Sequence, residues 1–174
     1  MRFRVDLGTP AGLEMYRFGV SDPSARHFVR ALKPGWHVID GGANIGVFTL
    51  LAAQKIGETG ELRAVEASAE TADLLEANVR LNNFANVTIV RAALTDTVGE
   101  SEFSSFGPGA GVSALRPATS SGNRTIVATT TIEALVESFP NRRVDAIKLD
   151  LEGAEFLALS QWASLLHEQR PILM

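Results

Sequence analysis

Val38-Ile39-Asp40-Gly41-Gly42-Ala43-Asn44-Ile45-Gly46 joins an apolar run to a glycine-rich turn and the start of a helix. Trp36 to Asp40 reads as a short apolar strand, and the glycines after it as a tight turn. A helix then runs from about Ile45 to Ile56 and stops at Gly57. Glycine suits the turn because the backbone must bend sharply and approach a neighbour with no Cβ in the way. Asn44 stands in mid-turn, where asparagine is the best non-glycine choice for a left-handed backbone. The free N–H groups of the following helix suit a ligand carboxylate. An ordinary strand-to-helix turn, however, has much the same composition.

The same strand–helix alternation repeats along the rest of the chain. Leu62 to Glu66 is a second strand, and Ser68 caps a helix whose Leu74, Leu75, Ala77 and Leu81 recur at helical spacing before Asn82-Asn83. Val87 to Arg91 and Val144 to Asp150 are further strands. A helix is expected over about Glu155 to His167, and Pro171 to Met174 opens another strand. This order predicts an α/β, Rossmann-like, doubly wound and mostly parallel sheet with right-handed crossovers. Ahead of it, Phe3, Val5 and Leu7 alternate with polar residues, and Thr9-Pro10-Ala11-Gly12 supplies turn chemistry before Leu13 to Val20. These features predict an N-terminal β-hairpin. Asp22-Pro23 then opens a helix that Pro34-Gly35 ends. The expected division is residues 1–34, hairpin and helix packing on the core, and residues 35–174, the main domain. Ser104 to Asn123, rich in Gly, Ser and Pro, reads as a long loop, either a surface excursion or a lid.

Two strand ends carry acids. Glu66 follows Asp40 by 26 residues and ends the second strand, where a carboxylate can accept hydrogen bonds from a ribose diol. Ile147-Lys148-Leu149-Asp150-Leu151-Glu152-Gly153-Ala154-Glu155 places three acids at the end of a strand expected beside the first. There Asp150 can orient a substrate or hold a methyl donor, and Glu152 can take a proton from a hydroxyl if burial raises its pKa. Glu152 and Glu155 also suit the start of the next helix simply through its dipole. A divalent cation ranks below that reading, since no histidine or fourth acid stands near, and no metal is expected. Nicotinamide dinucleotides use the same layout. Read as Gly41-x-Ala43-x-x-Gly46, however, the turn has alanine where a backbone should approach a pyrophosphate. Asp40 also suits an ammonium better than phosphates. Both points favour S-adenosylmethionine without excluding a dinucleotide.

Bulk properties narrow the class. The 174 residues fit one domain, 45% are hydrophobic and 21% charged, and the formal net charge is −4. That charge disfavours an electrostatic grip on nucleic acid. No apolar run suits a membrane span, and the basic N-terminus lacks the apolar core of an export signal, so a cytoplasmic protein is expected. Without cysteine there is no disulfide or thiolate metal site. No Ser-His-Asp order or nucleophile elbow occurs. His27, His37 and His167 read as packed or surface residues, and Trp36 and Trp162 as packing. No oligomeric state follows from the sequence.

The order of Val38 to Gly46, Ala64-Val65-Glu66, Ala92-Ala93-Leu94, Ile147 to Glu155 and Arg170-Pro171-Ile172-Leu173 closely resembles the FkbM family of methyltransferases, from about Leu32 to the last residue. The resemblance implies a class I S-adenosylmethionine-dependent fold. It also implies methylation of a hydroxyl on a small molecule, sugar or glycolipid. On that analogy Asp40, Gly41, Gly42, Ala43, Asn44 and Gly46 surround the methionine end of S-adenosyl-L-methionine. Glu66 binds its ribose, Ala93 lies near its adenine, and Asp150 lies near the transferred methyl. Asp150 and Glu152 are the expected catalytic pair. The sequence departs from the family at Ala67, often proline, and at Thr131-Ile132-Glu133, more usually Thr-Leu-Asp. The family fold also continues past the fifth strand with a helix and two strands, so the chain is expected to be C-terminally incomplete. Two rivals remain. An NAD(P)-dependent oxidoreductase needs a placed Tyr-Lys or His, and the sole tyrosine is Tyr16. A non-catalytic truncated remnant is the other.

Overall fold

The computed structural model describes residues 1–8, 13, 15–17, 23–105, 123–160 and 162–174. After α1 (Pro23–Ala31) the chain alternates: β1 (His37–Gly41), α2 (Val47–Ile56), β2 (Glu61–Val65), α3 (Ala69–Leu81) and β3 (Val87–Val90). Later come α4 (Ile132–Glu137), β7 (Ala146–Leu149), α5 (Glu155–Leu159), α6 (Ala163–Gln169) and β8 (Ile172–Leu173). The main sheet runs β3-β2-β1-β7-β8, and every pairing in it is parallel. Order reverses between β1 and β7. That switch point opens a crevice at the strands' carboxyl ends.

Strand alternation explains the two layers. Val38, Leu62, Ala64 and Ala146 face a core shared with Phe28 and Leu32 of the N-terminal region, Phe48 and Leu50 of α2, and Leu75 of α3. Ile39, Val65 and Ile147 face the opposite core, with Leu135 of α4, Phe139, Ala158 and the fully buried Trp162. Near-continuous apolar strands are what a sheet covered on both sides requires. Ser68 caps α3, its Oγ accepting from Thr71 N.

Three expectations need correction. Residues 1–8 form no strand, and Leu13 and residues 15–17 are helical, so the described N-terminal residues show no hairpin. Side-chain amides on α3 and at its C-cap take the place of a partner strand. Arg4 N donates to Asn78 Oδ1 at 2.6 Å and Arg2 N to Asn82 Oδ1 at 2.8 Å, while both asparagine amides donate back to the same two residues' carbonyls. The helix expected over 155–167 is two short ones, α5 and α6, with Ser160 Oγ bonded back to Leu157 O at the break.

The third correction is a second sheet that the sequence reading missed. β4 (Ala93–Leu94), β5 (Gly99–Ser105) and β6 (Asn123–Thr130) pair in the order β4-β6-β5, with β5 and β6 antiparallel. Ser104, Ser105 and Asn123 thus belong to strands, and 106–122, the rest of the expected loop, lies outside the described residues.

Candidate functional site

The glycine turn is built from its backbone outward. Gly42 N and Ala43 N both donate to Val65 O, at 3.0 and 2.9 Å, tying the turn to the end of β2. Asp150 N donates to Gly41 O at 3.1 Å and ties the same turn to β7. Gly42 has φ +71°, and a Cβ there would lie 2.0 Å from Asp150 O, so only glycine fits. Asn44 has φ +50°, the left-handed backbone expected of it.

These ties bring the strand ends round one open hollow of about 660 Å³, mouth included. Gly42 and Asn44 line it from the turn, Glu66 and Ala67 from just past β2, and Thr71 from α3. Ala92, Ala93, Leu94 and Phe103 line it from the second sheet and its approach, and Asp150, Leu151 and Glu152 from the end of β7. Glu66 is buried and doubly held, its Oε2 accepting from Asn44 N at 3.0 Å and its Oε1 from Ser68 N at 2.9 Å. A carboxylate has about four acceptor positions, so about two stay free for a ligand. Burial pushes the Glu66 carboxyl above the ordinary glutamate range, although the two backbone N–H groups pull it down.

Asp150 and Glu152 are exposed at the opposite wall. Glu152 has φ +53°, a strained backbone for a non-glycine residue, followed by Gly153 at +98°. Glu155 holds that bend, its Oε1 accepting from Leu151 N at 2.7 Å and its Oε2 from Gly153 N at 3.1 Å. Glu155 therefore organises the acid loop rather than only serving a helix dipole. Desolvation raises the Glu152 carboxyl, and the charges of Asp150 and Glu155 raise it further.

Of the residues read from the sequence, the structure brings Gly42, Asn44, Glu66, Ala93, Asp150 and Glu152 to one hollow. Gly41, Ala43 and Gly46 shape the turn but do not line it. Asp40, expected to face a ligand ammonium, is fully buried behind the wall. There its Oδ2 accepts from Thr49 Oγ1 at 2.6 Å, and its Oδ1 lies 3.1 Å from the Lys148 ammonium. Sequence reading missed Phe103 and Lys148. Phe103 is the sole apolar residue of β5, a signal that could have found it; Lys148 lies between apolar Ile147 and Leu149, where nothing local marks its role. His37 stacks on Phe139 at 4.8 Å, as a packed histidine, and Trp162 is core. Among the described residues no cluster of His, Asp and Glu could hold a metal ion, and no helix is long and apolar enough to cross a membrane.

A parallel sheet with a glycine turn and acid tips at its switch point defines a nucleotide-type Rossmann-like domain. The methyltransferase FkbM domain model matches residues 40–174, and the chain belongs to that family. No curated protein matches it. Among solved structures, the Trypanosoma brucei PRMT1 enzyme-prozyme heterotetrameric complex with AdoHcy aligns over 94% of this chain and 40% of that one, with TM-score 0.51 and 17% identity. A SAM-dependent methyltransferase from Aquifex aeolicus aligns over 52% and 46%, with TM-score 0.40 and 23% identity. A putative rRNA-methylase from Clostridium thermocellum aligns over 53% and 43%, with TM-score 0.39 and 17% identity. The chain spans less than half the length of each of these three.

Proposed function

We propose that this chain is the S-adenosylmethionine-binding part of a methyltransferase acting on a hydroxyl of a small molecule or glycan. The observation that carries the reading is that Asn44, Glu66, Asp150 and Glu152 line one hollow at the switch point of the sheet. The lining fits this cofactor better than a dinucleotide. It holds three carboxylates and, among the described residues, no lysine or arginine, which suits a cationic sulfonium and ammonium and opposes a pyrophosphate. Family membership supports the same choice.

Gly42 and Asn44 would take the methionine end, Glu66 the ribose hydroxyls, and Ala92, Ala93 and Phe103 the flat apolar base. Bound there, S-adenosylmethionine supplies a methyl group on a positively charged sulfur. The chain's own work is to orient and to handle one proton. Asp150 would fix the acceptor beside the methyl group, and Glu152, its carboxyl raised by desolvation and by neighbouring charge, would accept the proton from the attacking hydroxyl.

Calorimetry with S-adenosylhomocysteine tests the cofactor, and incubation with hydroxylated acceptors followed by mass spectrometry for a +CH₂ product tests the reaction. Nucleic acids and proteins belong in the same acceptor panel. Binding of NAD with no binding of S-adenosylhomocysteine would overturn the reading. Binding without turnover on any acceptor, also in a version extended past Met174, would assign a non-catalytic module.

A further inference from the structure

Lys148 is a buried lysine near the carboxyl end of β7, with a side chain only 9% exposed. Its ammonium donates to Gly42 O at 2.8 Å and Gly41 O at 3.2 Å, the two carbonyls at the head of the glycine turn. It also meets Asp40 Oδ1 at 3.1 Å, an oxygen that makes no hydrogen bond and has this cation as its compensating charge. Its two residues' distance from Asp150 matters too. The Asp150 carboxylate lies 3.9 Å from Nζ, too far for a hydrogen bond, and stays exposed to the hollow. A buried ion pair seldom exceeds well-packed apolar residues in stability, so its placement here needs another reason. Position supplies it. One ammonium spans the seam between β1 and β7, the two strands whose tips form facing walls of the hollow.

We propose that Lys148 is a positioning residue for cofactor binding. It locks the glycine turn against the tip of β7 so that Gly42 and Asn44 face an Asp150 carboxylate that the ammonium approaches without hydrogen-bonding. Asp40 is its anchor, which explains an acid buried behind the wall rather than in it. The proposal rests on the S-adenosylmethionine reading above, and the experiment separates the two.

Calorimetry with S-adenosylhomocysteine is run on the wild-type chain, Lys148→Met, Lys148→Arg, Asp150→Asn and the double variant Lys148→Met/Asp150→Asn, with folding checked by circular dichroism. Lys148→Arg keeps the charge but replaces a three-way ammonium with a planar fork. The expected result is at least tenfold weaker binding in both Lys148 variants. Asp150→Asn should then weaken binding less on the Lys148→Met background than on the wild type, a coupling that a merely structural lysine would not produce. The pH below which binding fades should also rise in Lys148→Met, because Lys148 is a cation that lowers the Glu66 carboxyl. Affinity within threefold of wild type in a folded variant, or fully additive losses, would overturn the proposal. Should neither Lys148 variant fold, the wild-type protein decides. The Lys148 ammonium signal in ¹H–¹⁵N spectra should be slow to exchange and should move on adding S-adenosylhomocysteine, and a signal that stays fixed would overturn it. No binding by the wild-type chain would instead defeat the cofactor reading.

Discussion

Asn44 and Glu66 are joined by one hydrogen bond, Asn44 N donating to Glu66 Oε2 at 3.0 Å across 22 residues of chain. The left-handed backbone at Asn44 aims its N–H at the tip of the neighbouring strand. The turn and the second strand-end acid therefore form one structural unit, and disturbing either disturbs the other.

Glu66→Gln tests that unit. An amide has one acceptor oxygen, so its nitrogen must confront either Ser68 N or Asn44 N. Leaving a buried donor unpaired costs about 1–3 kcal/mol. Urea denaturation should show a loss of that size, and calorimetry with S-adenosylhomocysteine should show binding at least about tenfold weaker, equivalent to ~1.4 kcal/mol.

Acid should weaken ligand binding before it touches an ordinary glutamate. Burial raises the Glu66 carboxyl, and only its charged form offers full acceptor capacity to the ribose hydroxyls proposed to bind it. Affinity should fall as pH drops through the raised value. The contribution to stability has the opposite sign. Between the unfolded and the raised folded value the native state holds more protons, so this group favours the fold at low pH and that advantage is lost as pH rises through the folded value. Calorimetry from the ordinary glutamate value up to neutral pH reads the first effect, and melting curves of wild type against Glu66→Gln read the second.

Gly42→Ala and Gly153→Ala separate close contact from backbone strain. Both positions have positive φ, at +71° and +98°, but a Cβ at 42 would lie 2.0 Å from Asp150 O, whereas nothing lies within 4 Å of one at 153. Gly153→Ala should cost about 1 kcal/mol from backbone strain alone. Gly42→Ala should cost well above that, ~3 kcal/mol or more, since a backbone carbonyl must move. Thermal melts should show a drop of about 2–4 °C for each kcal/mol.

Stability should reveal the Asp40–Lys148 pair as well. Lys148→Met leaves Asp40, with no exposed surface, facing an apolar side chain through an oxygen that has no hydrogen bond. Breaking a buried pair in this way costs roughly 3–5 kcal/mol. Adding Asp40→Asn removes the stranded charge and should recover part of the loss, measurable as a non-additive double-mutant cycle in urea.

Activity on an identified acceptor should depend on Glu152 with a defined pH signature. Glu152→Gln should lower kcat by about 10²–10⁴, the usual contribution of a general base. Desolvation first, then the charges of Asp150 and Glu155, raise its carboxyl. Asp150→Asn removes one of those charges, so the acid limb of kcat/KM should shift to lower pH, although desolvation keeps part of the elevation.

Much of this arrangement was legible from residue order because its causes are local. Apolar runs of strand length, a glycine turn, the Ser68 cap and the helical spacing of Leu75 all act within a few residues, and β1, β2, α3 and β7 fall where those signals put them. Asn44 is the sharpest case, since the conformational tolerance of one side chain foretold a left-handed backbone. Glu66 and Asp150 were readable as strand-end acids for the same reason.

Other features depended on partners distant in sequence. The N-terminal segment has hairpin composition, yet Asn78 on α3 and Asn82 at its C-cap hydrogen-bond the backbone of Arg4 and Arg2. β5 and β6 are mostly polar and pair across residues outside the described set, so no apolar period announced them. Asp40 is the clearest division. Sequence alone established an acid at the end of the first strand. Which way its charge is spent was decided by Lys148, 108 residues later in the chain, and by a parallel pairing that sets the two side by side. A buried charge takes whatever counter-charge the packing places nearest, and that neighbour exists only once the sheet has formed.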